Sequence, residues 1–367
     1  MKLDSEGFYR PSIDTDKCVK CGLCERTCPW TNIVTNPNLA SKIPQTLAAF
    51  AKDESIRLES SSGGIFTVLA QKVLNEGGVV AGVAQITPTK FGHIIIDNKS
   101  DLEKIRGSKY VQADVGFVYR EICTLLKSGR KVLFSGTPCQ VAALYAVLGS
   151  KANIPNLYTV DIICHGTPSV KVFKKYVEEI EHKQHDPLQK IFFRDKRKGW
   201  NIYSLTHLFK SGKSTSVLNT QSLFMSLMLN NICSNQSCAS CHYRKTPRIA
   251  DITLGDYWGI AKHHPQMDDN KGTSVILLNT EHGKTFFDSV SNDIKQCESK
   301  LDYAIEGNPC IVQSPPPHPK RNEFFELLNQ NSLKQLAQKY KIQKPLYKIL
   351  LSTIIIRLWN LYQRFLR

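Results

Sequence analysis

The chain has 367 residues, of which 41% are hydrophobic and 22% charged, a composition typical of globular proteins with room for two or three domains. An excess of Lys and Arg over Asp and Glu gives a net charge of +16, which predicts an anionic partner. The sequence carries no nucleic-acid recognition motif, so we expect an acidic protein, an anionic cofactor or an anionic membrane rather than nucleic acid. The polar N-terminus is unlike a signal peptide, and twelve cysteines without one predict the reducing cytoplasm.

Four cysteines lie close together near the N-terminus, in the run CVKCGLCERTCPW. Cys18, Cys21, Cys24 and Cys28 have the spacing C-x2-C-x2-C-x3-C followed by proline, which is typical of a ferredoxin-type 4Fe-4S cluster. Zinc sites usually pair two C-x2-C knuckles across a longer loop. In two-cluster ferredoxins the fourth cysteine binds the neighbouring cluster, so the sequence leaves open which cluster Cys28 serves.

After a polar join that we expect to reach about residue 59, helix and strand patterns alternate. We predict helices over 60–77, 115–128, 137–149 and 169–183, and strands over 79–86, 131–136, 157–164, 190–195, 202–209 and 274–279. This succession predicts a mixed or parallel sheet covered by helices. The expected fold class is therefore α/β (α+β), with a small N-terminal ferredoxin-like cluster lobe ahead of a mixed-sheet domain that has helices on its faces.

A second group of cysteines, Cys233, Cys238 and Cys241, has the spacing C-x4-C-x2-C. This is close to the plant-type ferredoxin spacing but lacks a local fourth cysteine. The candidates for that ligand are Cys164, Cys28, Cys123, Cys139, Cys297, Cys310 and His242. We favour Cys164, because it ends a predicted strand, where active-site groups of open α/β sheets collect. Zinc held by the three cysteines and His242 is the alternative.

Three short segments have residues suited to a phosphate-bearing cofactor. SGTPCQ (135–140) and ESSSGG (59–64) each lead into a predicted helix, whose first N–H groups and dipole attract phosphate. Ser and Thr also cap helices without any ligand, which is the simpler interpretation of both loops. RGSKYVQAD (106–114) combines cations, a hydroxyl and a ring that suit a phosphate and a flat ring system, or else forms a solvated turn.

The C-terminal stretch 344–367 predicts a basic amphipathic helix. Its apolar residues recur at helical spacing, at Leu346, Ile349, Leu350, Ile354, Leu358, Leu361 and Phe365. Its basic and interfacial residues are Lys348, Arg357, Arg364, Arg367, Trp359 and Tyr362. The uninterrupted apolar stretch is too short to span a bilayer, so the helix either lies on an anionic membrane or a membrane-bound partner, or packs on the protein's own core.

Taken together, these motifs resemble the coenzyme F420 hydrogenase/dehydrogenase beta-subunit family over roughly residues 14–280. The similar stretches are CVKCGLCERTCP, SSSGGIFTVLAQ, RGSKYVQAD, VLFSGTPCQVAAL, DIICHGTPS, CSNQSCASCHYRKTPRIADITLGDYWG and KGTSVILLNT. The resemblance implies an iron–sulfur flavoprotein, in which FAD exchanges electron pairs and clusters carry single electrons. The FAD neighbours that it implies are Ser62, Gly63, Gly64, Gly107, Ser108, Lys109, Tyr110, Gly136, Thr137 and Pro138.

The resemblance also implies a division of the chain into four regions. These are a ferredoxin-type domain (1–35), the family's N-terminal FAD-binding region (36–185), its C-terminal region with the second cysteine group (186–325) and the basic tail (326–367). The predicted second cluster is held by Cys164, Cys233, Cys238 and Cys241. Only one ferredoxin run is present where several relatives carry two, and no residue identifies F420 as the substrate.

The leading hypothesis is a cytoplasmic iron–sulfur oxidoreductase that passes electrons, through FAD and 4Fe-4S clusters, between a carrier and an unidentified acceptor. The carrier is expected to be a ferredoxin, a reduced flavin or deazaflavin, or a nicotinamide cofactor. Short relatives of this kind often accompany surface-polysaccharide genes, which suggests a metabolic context. The alternatives are an electron-transfer adaptor without flavin and a basic scaffold that contains zinc.

Overall fold

A computed structural model describes residues 1–39, 43–149 and 154–342. The predicted basic amphipathic helix over 344–367 lies outside these residues and stays a prediction. Among the helices that are described, none is long and apolar enough to cross a membrane. The mixed α/β class predicted from the sequence is confirmed, as are the helices and strands predicted between residues 60 and 279, with ends shifted by a few residues.

The described helices are α1 (Leu23–Arg26), α2 (Glu54–Glu59), α3 (Ile65–Asn75), α4 (Leu102–Ile105), α5 (Val118–Lys127), α6 (Pro138–Leu148), α7 (Val170–Gln184), α8 (Leu223–Leu229), α9 (Ile260–His263), α10 (Glu281–Asp288), α11 (Leu301–Gly307), α12 (Arg321–Leu327) and α13 (Leu333–Lys339). The strands are β1 (Lys2–Leu3), β2 (Tyr9–Arg10), β3 (Gln45–Ala51), β4 (Val79–Thr87), β5 (Lys90–Ile96), β6 (Val132–Gly136), β7 (Leu157–Ile162), β8 (Leu188–Asp195), β9 (Ser204–Phe209), β10 (Ser214–Leu218), β11 (Ile252–Asp256), β12 (Ser274–Leu278) and β13 (Ile294–Ser299).

An eight-stranded mixed sheet, in the order β13-β3-β12-β11-β7-β6-β4-β5, forms the centre of the molecule. Its middle strands β11, β7, β6 and β4 are parallel, and antiparallel strands flank them on both sides. Parallel strands end on the same side of a sheet, so the loops after β6, β7 and β11 lie together. β3 also ends there, because it is antiparallel to β12, which is antiparallel to β11. We call this side the carboxyl edge.

The polar join predicted up to residue 59 is wrong, because residues 45–51 form strand β3 inside the large sheet. β3 pairs with β12 on one side and β13 on the other. Its residues from Thr46 to Ala49 are all buried, so the strand lacks the alternation of apolar and polar residues that marks a half-exposed strand. Three small alanines in the segment QTLAAFA weaken the apolar signal further.

A smaller antiparallel sheet, β10-β9-β8, is joined to the large one by a shared aromatic core. The ring of Phe173 on α7 lies 5.7 Å from Phe91 on β5, 5.8 Å from Phe193 on β8 and 5.1 Å from Phe224 on α8. These rings therefore link the edge strand of the large sheet to the small sheet and its helices.

We expect Phe173→Ala to lower the free energy of unfolding by about 3–5 kcal/mol, because the ring is 0% exposed and its loss leaves a cavity. The matched control is Phe192→Ala on β8, whose ring is 42% exposed and whose loss is expected to cost about 0.5 kcal/mol. Urea denaturation of both variants measures the difference. Equal losses would mean that the aromatic core does not join the two sheets energetically.

Candidate functional site

The carboxyl edge brings together four thiols from three separate segments. Cys139 lies in the first turn of α6, directly after β6, and Cys164 follows β7 by two residues. Cys238 lies in the short 3-10 turn Gln236–Ser240, and Cys241 is the residue that ends this turn. Besides burial, the Cys238 and Cys241 thiols raise the pKa of Cys139, and the Cys238 and Cys139 thiols raise that of Cys164. The four sulfur atoms are thus close enough to affect one another's ionisation.

These thiols line a concave surface. Cys139 is exposed to solvent, yet it lies so deep in the protein that burial raises its pKa to about 11. Cys164 and Cys238 are half-buried, and burial raises the pKa of both. A residue that is both deep and accessible lies on the floor of a cleft, which is where a bound group is reached by its ligands.

Cys233, which the sequence grouped with Cys238 and Cys241, lies elsewhere. Its side chain is 0% exposed, within the aromatic core that contains Phe173. Burial raises its pKa to about 12, and the neighbours that counter this are Arg321 and the backbone around Ser169 rather than other thiols. Cys139 therefore occupies the place among the thiols that the spacing suggested for Cys233.

A single metal ion and an iron–sulfur cluster make different demands on the four thiols. In the parts of the chain that the structure describes, no three Cys, His, Asp or Glu side chains converge closely enough to hold one metal ion. The ring of His242, the proposed zinc ligand, packs at a tilt against Trp30, with 4.8 Å between ring centroids. A cubane has a different requirement, because each thiolate binds a separate iron atom at a corner of the cage. Four thiols match the number and type of donors that a cubane takes, one for each iron atom.

The N-terminal cysteine run forms a small lobe. Cys18, Cys21 and Cys24 are exposed, and Gly22 between them adopts a left-handed conformation, with φ 68°, at the start of α1. Cys28 is half-buried. Burial tends to raise its pKa, but hydrogen bonds from the backbone of Thr31 and Trp30 and from the Thr31 hydroxyl lower it overall. Such hydrogen bonds to sulfur are a feature of iron–sulfur sites.

The lobe contacts the rest of the protein beside the four thiols. The Tyr243 hydroxyl donates a 2.6 Å hydrogen bond to the Pro29 carbonyl, next to Cys28. Burial, together with the charged forms of Cys139, Cys241 and Cys28, raises the pKa of Tyr243 to about 12. Tyr243 therefore lies between the last cysteine of the lobe and two of the four thiols. The spacing of the motifs gave no sign of this contact.

Two of the predicted cofactor segments meet at the carboxyl edge. The Ser61 hydroxyl accepts a 2.7 Å hydrogen bond from the Ser108 amide. Gly63 packs so closely that a Cβ there would lie 2.5 Å from the Ala49 carbonyl, and Gly64, with φ 86°, starts α3. The Gly63 amide donates to Ser274 and the Ser62 hydroxyl donates to a carbonyl, so these groups fix the loop.

Lys109 is the cation in these segments that faces other cations. Its Nζ donates a 2.9 Å hydrogen bond to the Arg106 carbonyl. Burial, together with the positive charges of Lys190 and Arg106, lowers its pKa to about 7. Arg106 has Glu59 as its ion-pair partner, whereas no carboxylate pairs with Lys109 among the described residues. A bound anionic group would stabilise the positive charges around Lys109.

Gly136, Thr137 and Pro138 lie at the end of β6, beside Cys139. Three strand positions, or about 14 Å at the usual spacing, separate β6 from β12, where the Ser62 loop is attached. The Thr137 hydroxyl lies 3.2 Å from the Cys139 sulfur and also caps α6. The structure thus places this third segment beside the thiols and apart from the first two.

The sequence interpretation missed a network that closes the site around Arg194. The Arg194 guanidinium forms hydrogen bonds of 2.7 and 2.9 Å to the Asp256 carboxylate and lies 3.9 Å above the Tyr203 ring. It also contacts the Tyr110 hydroxyl and the Ser61 carbonyl, at 3.4 and 3.3 Å. The feature of the sequence that could have predicted this network is the GDYWG stretch, which contains Asp256.

Family models match most of the chain. The family model for the C terminus of the coenzyme F420 hydrogenase/dehydrogenase beta subunit matches residues 129–313, and the model for its N terminus matches 46–118. A 4Fe-4S binding domain model matches 11–33. An uncharacterized protein of Methanocaldococcus jannaschii is 20% identical over 281 residues, which cover 73% of this chain and 70% of the relative.

The fold is also similar to a solved structure. A chain of the F420-reducing [NiFe] hydrogenase complex from Methanosarcina barkeri superposes with a TM-score of 0.50 at 16% sequence identity. The match covers 84% of the present chain and 95% of that one. This likeness supports the α/β architecture with its N-terminal cluster lobe.

We expect Tyr243→Phe to loosen the lobe, because it removes the hydrogen bond to Pro29, worth about 1 kcal/mol. Hydrogen exchange of the backbone amides over 28–34 should become about fivefold faster. The control is Tyr303→Phe, since the Tyr303 ring stacks on His263 at 3.8 Å, away from the lobe. Unchanged exchange in Tyr243→Phe would show that other contacts hold the lobe.

Proposed function

The chain belongs to the coenzyme F420 hydrogenase/dehydrogenase beta-subunit family, and we propose that it passes electrons between a reduced carrier and an acceptor through FAD and two 4Fe-4S clusters. The family and the 4Fe-4S binding domain make it an iron–sulfur protein of an oxidoreductase family. FAD exchanges electron pairs and 4Fe-4S clusters carry single electrons, so the two together couple the two kinds of transfer.

The observation that carries the proposal is the set of four thiols in one cleft. We propose Cys139, Cys164, Cys238 and Cys241 as the ligands of the second cluster, with Cys139 in place of Cys233. Their mutual effect on ionisation supports this set, because thiols affect one another's pKa only when they are near. The set is complete without Cys28, which leaves Cys28 for the cluster of its own lobe.

The lobe contact supports transfer between the two clusters. Cys28 ends the first cysteine run, and Tyr243 bridges the space between it and the Cys139–Cys241 side of the second group. Tyr243 is only 3% exposed, so its side chain keeps water out of this contact. Electrons would then enter or leave the protein at the exposed lobe.

FAD is proposed to bind along the carboxyl edge, with Lys109 beside an anionic part of the cofactor. Lys109 lies beside the cations Lys190 and Arg106, and no carboxylate among the described residues forms an ion pair with it. Hydrogen bonds from Ser108 to Ser61 and from Arg194 to the Ser61 carbonyl hold the loops in place. Gly136–Pro138 would bring the other end of the cofactor beside Cys139. A ferredoxin, a reduced flavin or deazaflavin, or a nicotinamide cofactor would suit as carrier.

A cytoplasmic location suits exposed, oxidisable thiols such as Cys18, Cys21 and Cys24. Surface-polysaccharide metabolism stays a prediction from the family resemblance, and the basic tail stays a candidate membrane contact. An electron-transfer adaptor without flavin is the second candidate function. It would retain both clusters and release no FAD.

The iron content of anaerobically purified protein tests the ligand set. We expect about eight irons per chain, falling to about four in Cys139→Ala, because one cubane loses a ligand. Cys233→Ala is the matched control and should keep about eight, since its side chain lies in the aromatic core. About four irons in Cys233→Ala and about eight in Cys139→Ala would instead assign Cys233 as the ligand. About four irons in the parent protein would mean that there is no second cluster.

The flavin site is tested by the Lys109→Met variant. After acid release, the variant should yield less FAD than the parent at unchanged iron content, and the exposed Lys104→Met serves as control. FAD affinity in the parent should also depend on pH. A bound phosphate raises the pKa of Lys109 from about 7, so binding takes up a proton, and affinity falls above pH 7 by up to tenfold per pH unit.

Below pH 7 the amine is already charged, so affinity should no longer change with pH through this group. In Lys109→Met, FAD affinity should lack the fall above pH 7, because the titrating amine is gone. The same FAD occupancy in variant and parent would assign Lys109 to a solvated turn instead. If acid treatment of the brown parent protein gives a colourless supernatant, the protein contains no FAD. That result would support the electron-transfer adaptor without flavin.

A further inference from the structure

We propose that Arg244 is the counter-ion of the second cluster and raises its reduction potential. This inference rests on the proposed function, because it requires a cluster at Cys139, Cys164, Cys238 and Cys241. It assigns a role to a residue that contributes no ligand and lies three positions after the last of these cysteines.

Arg244 is held against the segment that carries Cys164. Its Nη2 donates hydrogen bonds of 3.1 Å to the Cys164 carbonyl and 2.8 Å to the His165 carbonyl. The residue is only 8% exposed. The guanidinium is therefore fixed in place by two backbone groups of the ligand segment rather than free in solvent.

Among the described residues, no carboxylate neutralises the charge of Arg244. Nη1 is buried without a hydrogen-bond partner, and no carboxylate forms an ion pair with Arg244 within 1–39, 43–149 and 154–342. Arg248, the neighbouring buried arginine, has Asp161 beside it, 3.4 Å away. A buried cation without an opposite charge is strongly unfavourable, so an anion is expected at Nη1.

The positive charge of Arg244 lies beside the proposed ligand thiols. The Arg244 guanidinium is hydrogen-bonded to the backbone of the proposed ligand Cys164, and its second nitrogen is buried without a partner. A cluster held by four thiolates is anionic and gains a further negative charge on reduction. A fixed cation stabilises the more negative state, so Arg244 should make the cluster easier to reduce.

The test measures the potential of the cluster in the full-length protein by titration with dithionite and redox mediators, followed by electron paramagnetic resonance. Arg244→Met, which keeps an unbranched apolar stem and removes the charge, should lower the equilibrium constant of one-electron reduction at least tenfold, or about 59 mV. Arg244→Lys should restore most of the difference. The exposed neighbour Lys245 supplies the matched control, Lys245→Met, which should leave the potential unchanged.

Two patterns support the proposal: a lowered potential in Arg244→Met, or loss of the second cluster in Arg244→Met but not in Arg244→Lys. Two patterns overturn it: full iron content with an unchanged potential in Arg244→Met, or loss of the cluster in both variants, which would mean that Arg244 only positions the backbone. If the parent protein holds a single cluster, the proposed function fails before any variant is compared.

Discussion

The shared direction of the four middle strands determines where the chemistry of this protein can lie. Because β11, β7, β6 and β4 run parallel, residues that are distant in sequence leave the sheet on one side. Cys139 and Cys164 follow adjacent strands for this reason, and the loop of Cys238 and Cys241 is held against them before the chain enters β11. An antiparallel arrangement of the same strands would have placed Cys139 and Cys164 on opposite sides of the molecule.

Buried charges then hold the loops at this edge. Lys196 donates hydrogen bonds to the carbonyls of Arg57, Ser62 and Lys271, each 2.6–2.7 Å long, and so joins two loops that lead to different strands. Arg194 binds Asp256 and the Ser61 carbonyl in the same way. Each cation replaces its lost hydration with several oxygen atoms, which is the condition under which a charge is tolerated inside a protein. The loops are therefore ordered by polar contacts more than by apolar packing.

The sequence predicted those parts of the fold whose signals are local. The ferredoxin-type spacing around Cys18 depends on residues within one short loop, and the helices and strands between residues 60 and 279 have clear periodicity, so both could be predicted. β3 was missed because a strand buried on both faces has no alternating pattern.

The sequence named Cys139 only as one of several candidates for the fourth ligand, for a related reason. Spacing relates only neighbours in sequence, and it grouped Cys233 with Cys238 although the chain between them turns Cys233 into the aromatic core. Cys139 comes from a different strand, and its nearness depends on strand direction, which the sequence pattern does not encode. The ligand set itself remains a prediction that iron analysis of the variants decides.

The two cysteine groups differ in one respect that affects the protein outside its reaction. Cys18, Cys21 and Cys24 of the lobe are exposed, whereas in the second group only Cys139 is exposed and Cys164, Cys238 and Cys241 are half-buried. Dioxygen and chelators reach an exposed cluster more easily than one enclosed by protein. In the proposed two-cluster protein, damage by air would therefore begin at the lobe, and the proposed inner cluster and flavin would survive as a pair cut off from external electron carriers. Such a protein would keep its colour while losing its connection to its partners.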